Sequence, residues 1–277
     1  MFSQKARKRF GQHWLRSEKI LHKILAAAEV TRQDCVLEIG PGTGALTRWL
    51  LPLAQAVVAV EVDWDLCRKL ANQFAKEETF KLIQGDILEL DIQAALEQDK
   101  EYNFGLPNKV VANIPYYITG PILEKLLGTI ANPNPAPYDS IVLLVQKEVA
   151  ERLYAKPGNR AFGALSVRVQ YLADCEQICQ VPAKAFQPPP KVDSAVVRLR
   201  PRLPQVVAQN PDHLDQLVKL GFSSKRKMLR NNLKAVMDRD VLTQLMSDLA
   251  IPETARAEDL SVEQWVALSN TILKQSP

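Results

Sequence analysis

Long apolar runs are missing from this sequence, and so are closely paired cysteines. No window approaches the roughly 18–20 consecutive apolar residues of a membrane-spanning helix, so no contact with a membrane is predicted. The first ten residues lack the apolar core of a signal peptide. The four cysteines are scattered without C-x-x-C spacing, which argues against a metal site and a disulfide framework. Together these absences predict a cytoplasmic protein with reduced thiols.

Acidic residues are scarce at the N-terminus. Residues 1–23 contain seven lysines and arginines and one acid, Glu18, for a net charge of +6, whereas the whole chain carries +4 and the remainder therefore −2. A basic arm on a nearly neutral body indicates a localised contact with a polyanion, for which Lys8 and Arg9 are candidates. A solubilising tail remains the alternative, and a mitochondrial presequence fits poorly because the next motif begins at Gly11.

Polar residues follow four successive apolar runs, each typical of a buried strand. Gly40-Pro41-Gly42-Thr43-Gly44 follows the first run, Glu61 ends the second, Asp86 follows the third and Asn113 ends the fourth. In an open α/β sheet the carboxyl ends of the strands form the ligand crevice, so these groups are predicted to meet there. An acid at the position of Glu61 suits the two hydroxyls of a ribose, and Asp86 is placed to accept from an adenine amino group. Glu38, beside the glycines, is expected to favour a cationic ligand over a pyrophosphate.

The fourth run opens into Asn113-Ile114-Pro115-Tyr116. The Asn113 amide oxygen can accept hydrogen bonds from an amino group, Pro115 fixes the local backbone, and Tyr116 presents a face for a base. This stretch is therefore predicted to receive a planar ring with an exocyclic amine, with Asn113 and Tyr116 as the catalytic pair. No strong base is evident in this stretch of the sequence.

The second half predicts a helix at residues 146–153, another at 164–172, and an antiparallel strand pair at 176–181 and 194–199. Between these strands, Phe186 is a candidate wall of an adenine pocket. Prolines at 201, 204 and 211 indicate a linker, which divides the chain into residues 1–204 and a helical domain at 205–277. Within it, Ser223–Lys234 shows helical spacing, with Arg226, Lys227 and Arg230 on a basic face toward RNA. A last helix is predicted around residues 262–273.

Five stretches taken together follow the pattern of one family: Arg9–Leu15, Glu38–Gly44, Gln84–Asp86, Asn113–Tyr116 and Phe186–Ser194. With them the chain resembles the Rossmann-like S-adenosylmethionine-dependent methyltransferases and, more narrowly, the small-subunit ribosomal RNA adenine dimethyltransferase family. The resemblance implies an α/β fold, a mostly parallel sheet with an antiparallel last strand, followed by a small C-terminal all-α domain. It covers nearly the whole chain.

The resemblance also implies a cofactor and a substrate. S-adenosyl-L-methionine would lie against His13, Leu15, Gly40, Gly42, Glu61, Asp86 and Asn113. The substrate would be two adjacent adenosines near the 3′ end of 16S rRNA, in the small ribosomal subunit or its precursor, dimethylated by a monomeric enzyme. The family often has asparagine in place of His13 and phenylalanine in place of Trp14. Both replacements keep a hydrogen-bonding group and an aromatic ring.

Two other functions remain open at this stage. One is the related large-subunit rRNA adenine methyltransferase of the macrolide-resistance type. The other is a ribosome-assembly or transcription factor that kept the fold without catalysis. The long segment Phe186–Ser194 and the cations of Lys225–Lys234 favour the small-subunit enzyme over the first, and the intact Asn113–Tyr116 stretch favours catalysis over the second.

Overall fold

The computed structural model describes residues 12–275. Its first part alternates strands and helices along the chain: β1 (Trp14–Leu15), α1 (Glu18–Ala28), β2 (Cys35–Ile39), α2 (Thr47–Leu50), β3 (Ala56–Glu61), α3 (Trp64–Gln73), β4 (Phe80–Gln84), α4 (Ile92–Glu97), β5 (Lys109–Asn113), α5 (Thr119–Leu127), β6 (Ser140–Gln146), α6 (Lys147–Tyr154), α7 (Ala164–Leu172), β7 (Ala173–Val181), β8 (Phe186–Gln187) and β9 (Ser194–Pro201). Four helices follow: α8 (Pro211–Gly221), α9 (Leu229–Asn232), α10 (Arg239–Asp248) and α11 (Val262–Gln275). Within the described range, no helix is long and apolar enough to cross a membrane.

A seven-stranded sheet organises the first part, with the strand order β4-β3-β2-β5-β6-β9-β7. The first five strands of that order run parallel, and β9 runs antiparallel to β6. Every residue of β2 and β3 is buried, as expected for central parallel strands that are covered on both faces. The predicted α/β fold, with a mostly parallel sheet and an antiparallel last strand, is confirmed.

The chain divides into two compact units. The first contains the chain up to Leu126, Ala136–Ala150 and Glu176–Pro201, and thus most of the sheet. The second contains Leu127–Pro135, Glu151–Cys175 and the chain from Arg202 onward. The sequence-based boundary after residue 204 falls close to Pro201, but the second unit also takes two earlier segments, which a linker signal in the sequence does not reveal.

The helix predicted over Ser223–Lys234 is wrong in most of its length, because only Leu229–Asn232 is helical. The Asn232 side-chain amide donates to the carbonyls of Gly221 (2.6 Å) and Ser224 (3.0 Å), and the Leu229 N–H donates to the Ala255 carbonyl. These bonds hold residues 223–228 as turns in place of a continuous helix. Leu229 and Leu233 are still fully buried. The apolar spacing therefore predicted the core positions correctly, although the helix it indicated does not form there.

Replacing Gly221 with alanine is expected to destabilise the second unit. A Cβ at this position would overlap the ring of Trp265, which is fully buried. Overpacking of this kind costs about 1–3 kcal/mol, which exceeds the roughly 0.5–1 kcal/mol that alanine gains over glycine in a helix. Urea unfolding measures the free energy of unfolding of the variant and of the parent. Gly120→Ala in α5 is the control, because no atom lies within 4 Å of a Cβ at Gly120. A Gly221→Ala variant as stable as the parent would contradict this packing.

Candidate active site

A cleft opens at the carboxyl ends of β2, β3, β4 and β5. It encloses about 920 Å³, counting the solvent at its open side. Seven residues named from the sequence stand around it: His13, Gly40, Gly42, Glu61, Asp86, Asn113 and Tyr116. The four polar strand ends therefore come together as the alternation of strands and helices predicts.

Two glycines of the turn after β2 line the cleft in backbone conformations that favour glycine. Gly40 and Gly42 have φ angles of +67° and +61°, in the left-handed region where L side chains are strained. A Cβ on Gly42 would also lie 3.3 Å from the Trp14 ring. Gly40 donates its N–H to the Val60 carbonyl at 2.9 Å, which fixes the start of the turn against β3.

Glu61 links that turn to the next strand. Its carboxylate accepts from the backbone N–H of Gly42 at 3.1 Å and of Asp63 at 2.9 Å, and the residue is 5% exposed. Burial raises the pKa of Glu61, while the two N–H donors oppose that shift. The carboxylate is thus held in one orientation at the edge of the cleft before any ligand arrives.

Glu38 does not act as the sequence suggested. Its carboxyl is 2% exposed, accepts from the Thr47 hydroxyl at 2.7 Å and is absent from the described cleft lining. Burial raises the pKa of Glu38 to about 8. A carboxyl that is neutral at pH 7 and faces the interior gives no attraction to a cation, so Glu38 serves the packing between β2 and α2 instead.

Replacing Glu38 with glutamine should change how stability depends on pH. The folded-state pKa of Glu38, about 8, lies above the ordinary 4.5, so the folded chain holds a proton that the unfolded chain releases. Stability from this group is complete below pH 4.5 and is lost as the pH rises toward 8. Each pH unit in that window corresponds to about 1.4 kcal/mol, so the loss should reach a few kcal/mol.

Melting temperatures of the parent and of Glu38→Gln at pH 5, 6.5 and 8 check this expectation. The parent should lose stability relative to the variant across the series. Parallel curves for the two proteins would contradict a neutral buried Glu38.

Asn113 and Tyr116 are both fixed by hydrogen bonds. The Asn113 amide nitrogen donates to the His13 carbonyl at 3.0 Å. The Tyr116 hydroxyl lies 2.6 Å from the Ser194 hydroxyl, and burial raises the pKa of the phenol. The His13 ring stacks on the Tyr116 ring with centroids 5.9 Å apart and planes 17° apart, and its Nδ1 lies 2.8 Å from the Pro188 carbonyl oxygen. Both side chains proposed from the sequence as catalytic are therefore held in place.

Asp86 is exposed at the mouth of the cleft. Its Oδ1 accepts from the Leu88 N–H at 2.9 Å, which orients the carboxylate. Ile87 beside it is 5% exposed and lines the cleft.

Leu15 and Phe186 differ from expectation. They pair across the antiparallel strands β1 and β8 and are 5% and 4% exposed within the hydrophobic core. Neither belongs to the described cleft lining. This position corrects the prediction that the Phe186 ring forms a wall open to a substrate base, because the ring is occupied by core packing.

The predicted RNA-contacting cations have different environments. Lys8 and Arg9 lie outside the described residues. Arg226 and Lys227 are exposed in the turns of residues 223–228. Arg230 instead pairs with Glu253 at 2.9 Å, and its side chain is only 15% exposed. Arg230 therefore does not belong to the exposed basic surface that the sequence suggested.

Sequence reasoning assigned no structural role near the site to three residues: Trp14, Asp63 and Ser194. Trp14 packs against Gly42, Asp63 accepts from the Gln12 side chain at 3.1 Å, and Ser194 fixes Tyr116. The sequence contained a signal for Asp63, because an aspartate two residues after Glu61 is a typical helix N-cap. In the structure Asp63 caps α3 by accepting from the Asp65 N–H. Nothing in the sequence points from Ser194 to Tyr116, which lies 78 positions away.

The electrostatics of the cleft favour a cationic ligand. Its described lining contains the acids Glu61 and Asp86 and no lysine or arginine. Across residues 12–275, no cluster of three or more histidine, cysteine or acidic residues is arranged to hold a metal ion. A pyrophosphate would meet two carboxylates here, whereas a positive charge is attracted to them.

Comparison with known proteins agrees with these features. A family model described as ribosomal RNA adenine dimethylase matches residues 3–274. The ribosomal RNA small subunit methyltransferase A of Trichormus variabilis is 66% identical over 266 residues, covering 96% of this chain and 97% of its own length. The protein of the same name from Nostoc punctiforme is 64% identical over 272 residues, covering 96% and 94%.

Two solved structures share the fold over nearly the whole chain. A dimethyladenosine transferase from Plasmodium falciparum superposes with a TM-score of 0.77 at 27% identity, covering 92% of this chain and 96% of its own. The 23S rRNA methyltransferase ErmE superposes with a TM-score of 0.72 at 26% identity, covering 95% and 100%. The match to the family model and the relatives above 60% identity lead to one conclusion: this chain belongs to the ribosomal RNA adenine dimethylase family.

Proposed function

We propose that this protein transfers methyl groups from S-adenosyl-L-methionine to the exocyclic amino groups of two adjacent adenosines near the 3′ end of 16S rRNA. The products are dimethyladenosines, formed during biogenesis of the small ribosomal subunit. One observation carries the proposal. The Asn113 amide nitrogen is held by the His13 carbonyl, which leaves the amide oxygen as an acceptor, and Asn113, Tyr116 and Glu61 line the same cleft.

The cleft residues fit the proposed cofactor. Once bound, S-adenosyl-L-methionine supplies a methyl group already activated by a positively charged sulfur. The acidic, lysine- and arginine-free lining of the described cleft suits that charge. Glu61 keeps lone pairs beyond its two backbone donors and would accept from the ribose hydroxyls, Asp86 would accept from the adenine amine, and Ile87 would cover the ring.

The remaining cofactor contacts follow from backbone position. Gly40 and Gly42 let the chain approach a ligand closely because neither carries a Cβ. His13 and Asn113 border the same space. The buried Leu15 side chain leaves only its backbone for a contact, so we assign it support of the segment that carries His13.

The chain's part in the reaction is to position and polarise the target amine. That amine is a poor nucleophile, because its lone pair is delocalised into the adenine ring. The Asn113 amide oxygen and the Ile114 carbonyl would accept its two hydrogens, which aims the lone pair toward the methyl group. Orientation of this kind is worth up to about 7–11 kcal/mol in the best model systems.

Tyr116 would hold the face of the adenine after the base leaves its stack. Stacking of a base on an aromatic ring contributes roughly 1–3 kcal/mol. The hydrogen bond between Tyr116 and Ser194 keeps the ring in position, so its face does not have to be ordered on binding.

Contacts with RNA phosphates are assigned to the exposed cations Arg226 and Lys227, with Lys8 and Arg9 as further candidates from the sequence. The Arg230–Glu253 pair makes Arg230 a weaker candidate, because its charge is already compensated. That the protein acts as a monomer in the cytoplasm stays a prediction.

The small ribosomal subunit is favoured over the large one as substrate. Relatives at 64–66% identity are named for the small subunit, whereas the 23S enzyme ErmE shares 26%. Identity across nearly the full chain length therefore supports the small-subunit assignment.

Nucleoside mass spectrometry tests this function. Undermethylated small subunits are incubated with the protein and isotopically labelled S-adenosyl-L-methionine, and large subunits are treated in parallel. We expect labelled dimethyladenosine from the small-subunit rRNA alone. Label in the large-subunit rRNA would support the rival specificity, and no labelled adenosine in either would refute the enzyme assignment.

A further inference from the structure

We propose that Tyr117 binds the base next to the target adenosine, which stacks on the face of its ring. The proposal rests on the proposed function, in which the substrate is two adjacent adenosines, and it adds the residue that receives the second of them. It is carried by the exposure of the Tyr117 side chain in the cleft and by the rigid turn that holds it beside Tyr116.

Tyr117 is an exposed aromatic residue of the cleft lining. Among the large apolar residues that are exposed in the described range, two line the cleft, Val62 and Tyr117, and Tyr117 is 62% exposed. Single exposed apolar side chains are common on protein surfaces and need no explanation. An aromatic ring open to solvent in the lining of a ligand cleft, however, is a face on which a base can stack.

The backbone that carries Tyr117 is held in place. Tyr117 is the central residue of a 3₁₀ turn that begins after Pro115. The Ile118 N–H donates to the Pro115 carbonyl at 3.3 Å. The Thr119 hydroxyl donates to the Tyr116 carbonyl at 3.1 Å, and Thr119 is 2% exposed. Since the turn is tied at both ends, binding of a base at Tyr117 requires little ordering of the backbone.

Tyr116 and Tyr117 leave this turn on different sides. A 3₁₀ helix has three residues per turn, so neighbouring side chains are about 120° apart. Tyr116 is turned toward Ser194, with the two hydroxyls 2.6 Å apart, whereas the Tyr117 hydroxyl has no hydrogen-bond partner within residues 12–275. The Tyr116 ring is thus committed to the receptor for the target adenine. The Tyr117 ring can take a base that stays outside that receptor.

Extrusion of the target adenosine creates the need for such a contact. A base-modifying enzyme has to unstack its target, and the flanking base then exposes a face that the target had covered. Stacking of that face on the Tyr117 ring offsets part of the cost of extrusion. A pair of adjacent adenosines needs the contact twice, because each adenosine in turn is the target and the other is its neighbour.

The charges of the cleft favour a base over a phosphate at this position. The described lining contains the acids Glu61 and Asp86 and no lysine or arginine, so it would repel a phosphate. Trp64, a second exposed aromatic residue, lies outside the described lining, and the Arg68 guanidinium lies over its ring, 4.9 Å from the centroid. Tyr117 therefore offers a base an uncharged aromatic face within the cleft itself.

The test uses small subunits reconstituted with 16S rRNA in which one adenosine of the target pair is replaced. One replacement is a purine nucleoside without the exocyclic amine, which stacks but accepts no methyl group. The other is an abasic nucleotide, which cannot stack. Both orders of the pair are made. The apparent second-order rate constant for methyl transfer to the remaining adenosine is measured, because it includes every interaction formed up to the transition state.

Four proteins are compared: the full chain, Tyr117→Ala, Tyr117→Phe and the control Leu106→Ala. Tyr117→Phe keeps the ring and removes the hydroxyl. Leu106 is likewise an exposed apolar residue, 48% exposed, but it precedes β5 and so lies at the amino end of that strand, opposite the cleft. The affinity of each protein for S-adenosylhomocysteine, measured by calorimetry, shows whether the variant is folded with an intact cofactor site.

In at least one order of the pair, we expect the parent to act about 5- to 150-fold faster beside the purine than beside the abasic nucleotide. This is the factor that stacking of one base on an aromatic ring contributes. Tyr117→Ala should show the slow rate with both substrates, whereas Tyr117→Phe and Leu106→Ala should keep the difference. All four proteins should bind S-adenosylhomocysteine with affinities within about twofold of one another.

The proposal is overturned if Tyr117→Ala distinguishes the two neighbours as strongly as the parent does, or if the parent distinguishes them in neither order. An equal loss of rate on both substrates, or a loss explained by weaker cofactor binding, would also overturn it, because the ring would then act on something other than the neighbouring base. A failure of the proposed function looks different: the parent would then form no dimethyladenosine on unmodified small subunits either.

Discussion

Replacing Asn113 with alanine is expected to lower the single-turnover rate of methyl transfer by about 10²- to 10³-fold, the loss seen when one preorganised hydrogen-bonding group is removed from an active site. The dissociation constant for S-adenosyl-L-methionine should change by less than about threefold. The reason is geometric. The Asn113 amide nitrogen is engaged by the His13 carbonyl, so its oxygen is the atom available to polarise the target amine.

Asn72→Ala is the matched control, because Asn72 lies exposed in α3, away from the cleft lining. Rapid-quench measurements with labelled cofactor give the rate, and calorimetry gives the affinity. An Asn113→Ala protein that methylates as fast as the Asn72→Ala control would remove the assigned role of this amide.

Exchanging Glu61 for glutamine should weaken cofactor binding by roughly 10- to 150-fold, equivalent to the about 1.5–3 kcal/mol of a hydrogen bond to a charged group. The carboxylate accepts from Gly42 and Asp63 and has lone pairs left for two ribose hydroxyls. Glutamine keeps the size of the side chain but turns one acceptor into a donor, which then faces a backbone N–H or a hydroxyl.

The affinity for S-adenosylhomocysteine, measured by calorimetry, is the readout for Glu61→Gln. Glu77→Gln, an exposed acid before β4, serves as the control. Because homocysteine sulfur is uncharged, this ligand separates the ribose contact from attraction to the sulfonium. Unchanged affinity in Glu61→Gln would show that the carboxylate serves the glycine turn alone.

Strand ends were the most predictable part of this molecule. Buried parallel strands appear in the sequence as short apolar runs, and their carboxyl ends must meet at one edge of the sheet. The sequence alone therefore groups Gly40, Glu61, Asp86 and Asn113, although 73 positions separate Gly40 from Asn113. Side chains in loops, or on strands outside the parallel part of the sheet, are not brought together by this rule.

The errors arose where tertiary packing decides the outcome. Glu38 sits next to the glycine turn in sequence, but alternation along β2 turns its carboxyl inward, onto Thr47. Phe186 lies in a polar, proline-rich stretch, and its pairing with Leu15 depends on a contact across 171 positions. The Ser223–Lys234 segment has helical spacing, yet the Asn232 side chain competes for the backbone carbonyls there.

A crystal structure of the protein with S-adenosylhomocysteine and an RNA that carries the target adenosines is the most direct test of the central claim. The adenine should stack on Tyr116, with its exocyclic nitrogen within about 3.2 Å of the Asn113 amide oxygen and facing the sulfur. An adenine amine bound by other groups, or a cofactor seated away from Gly40 and Glu61, would contradict it.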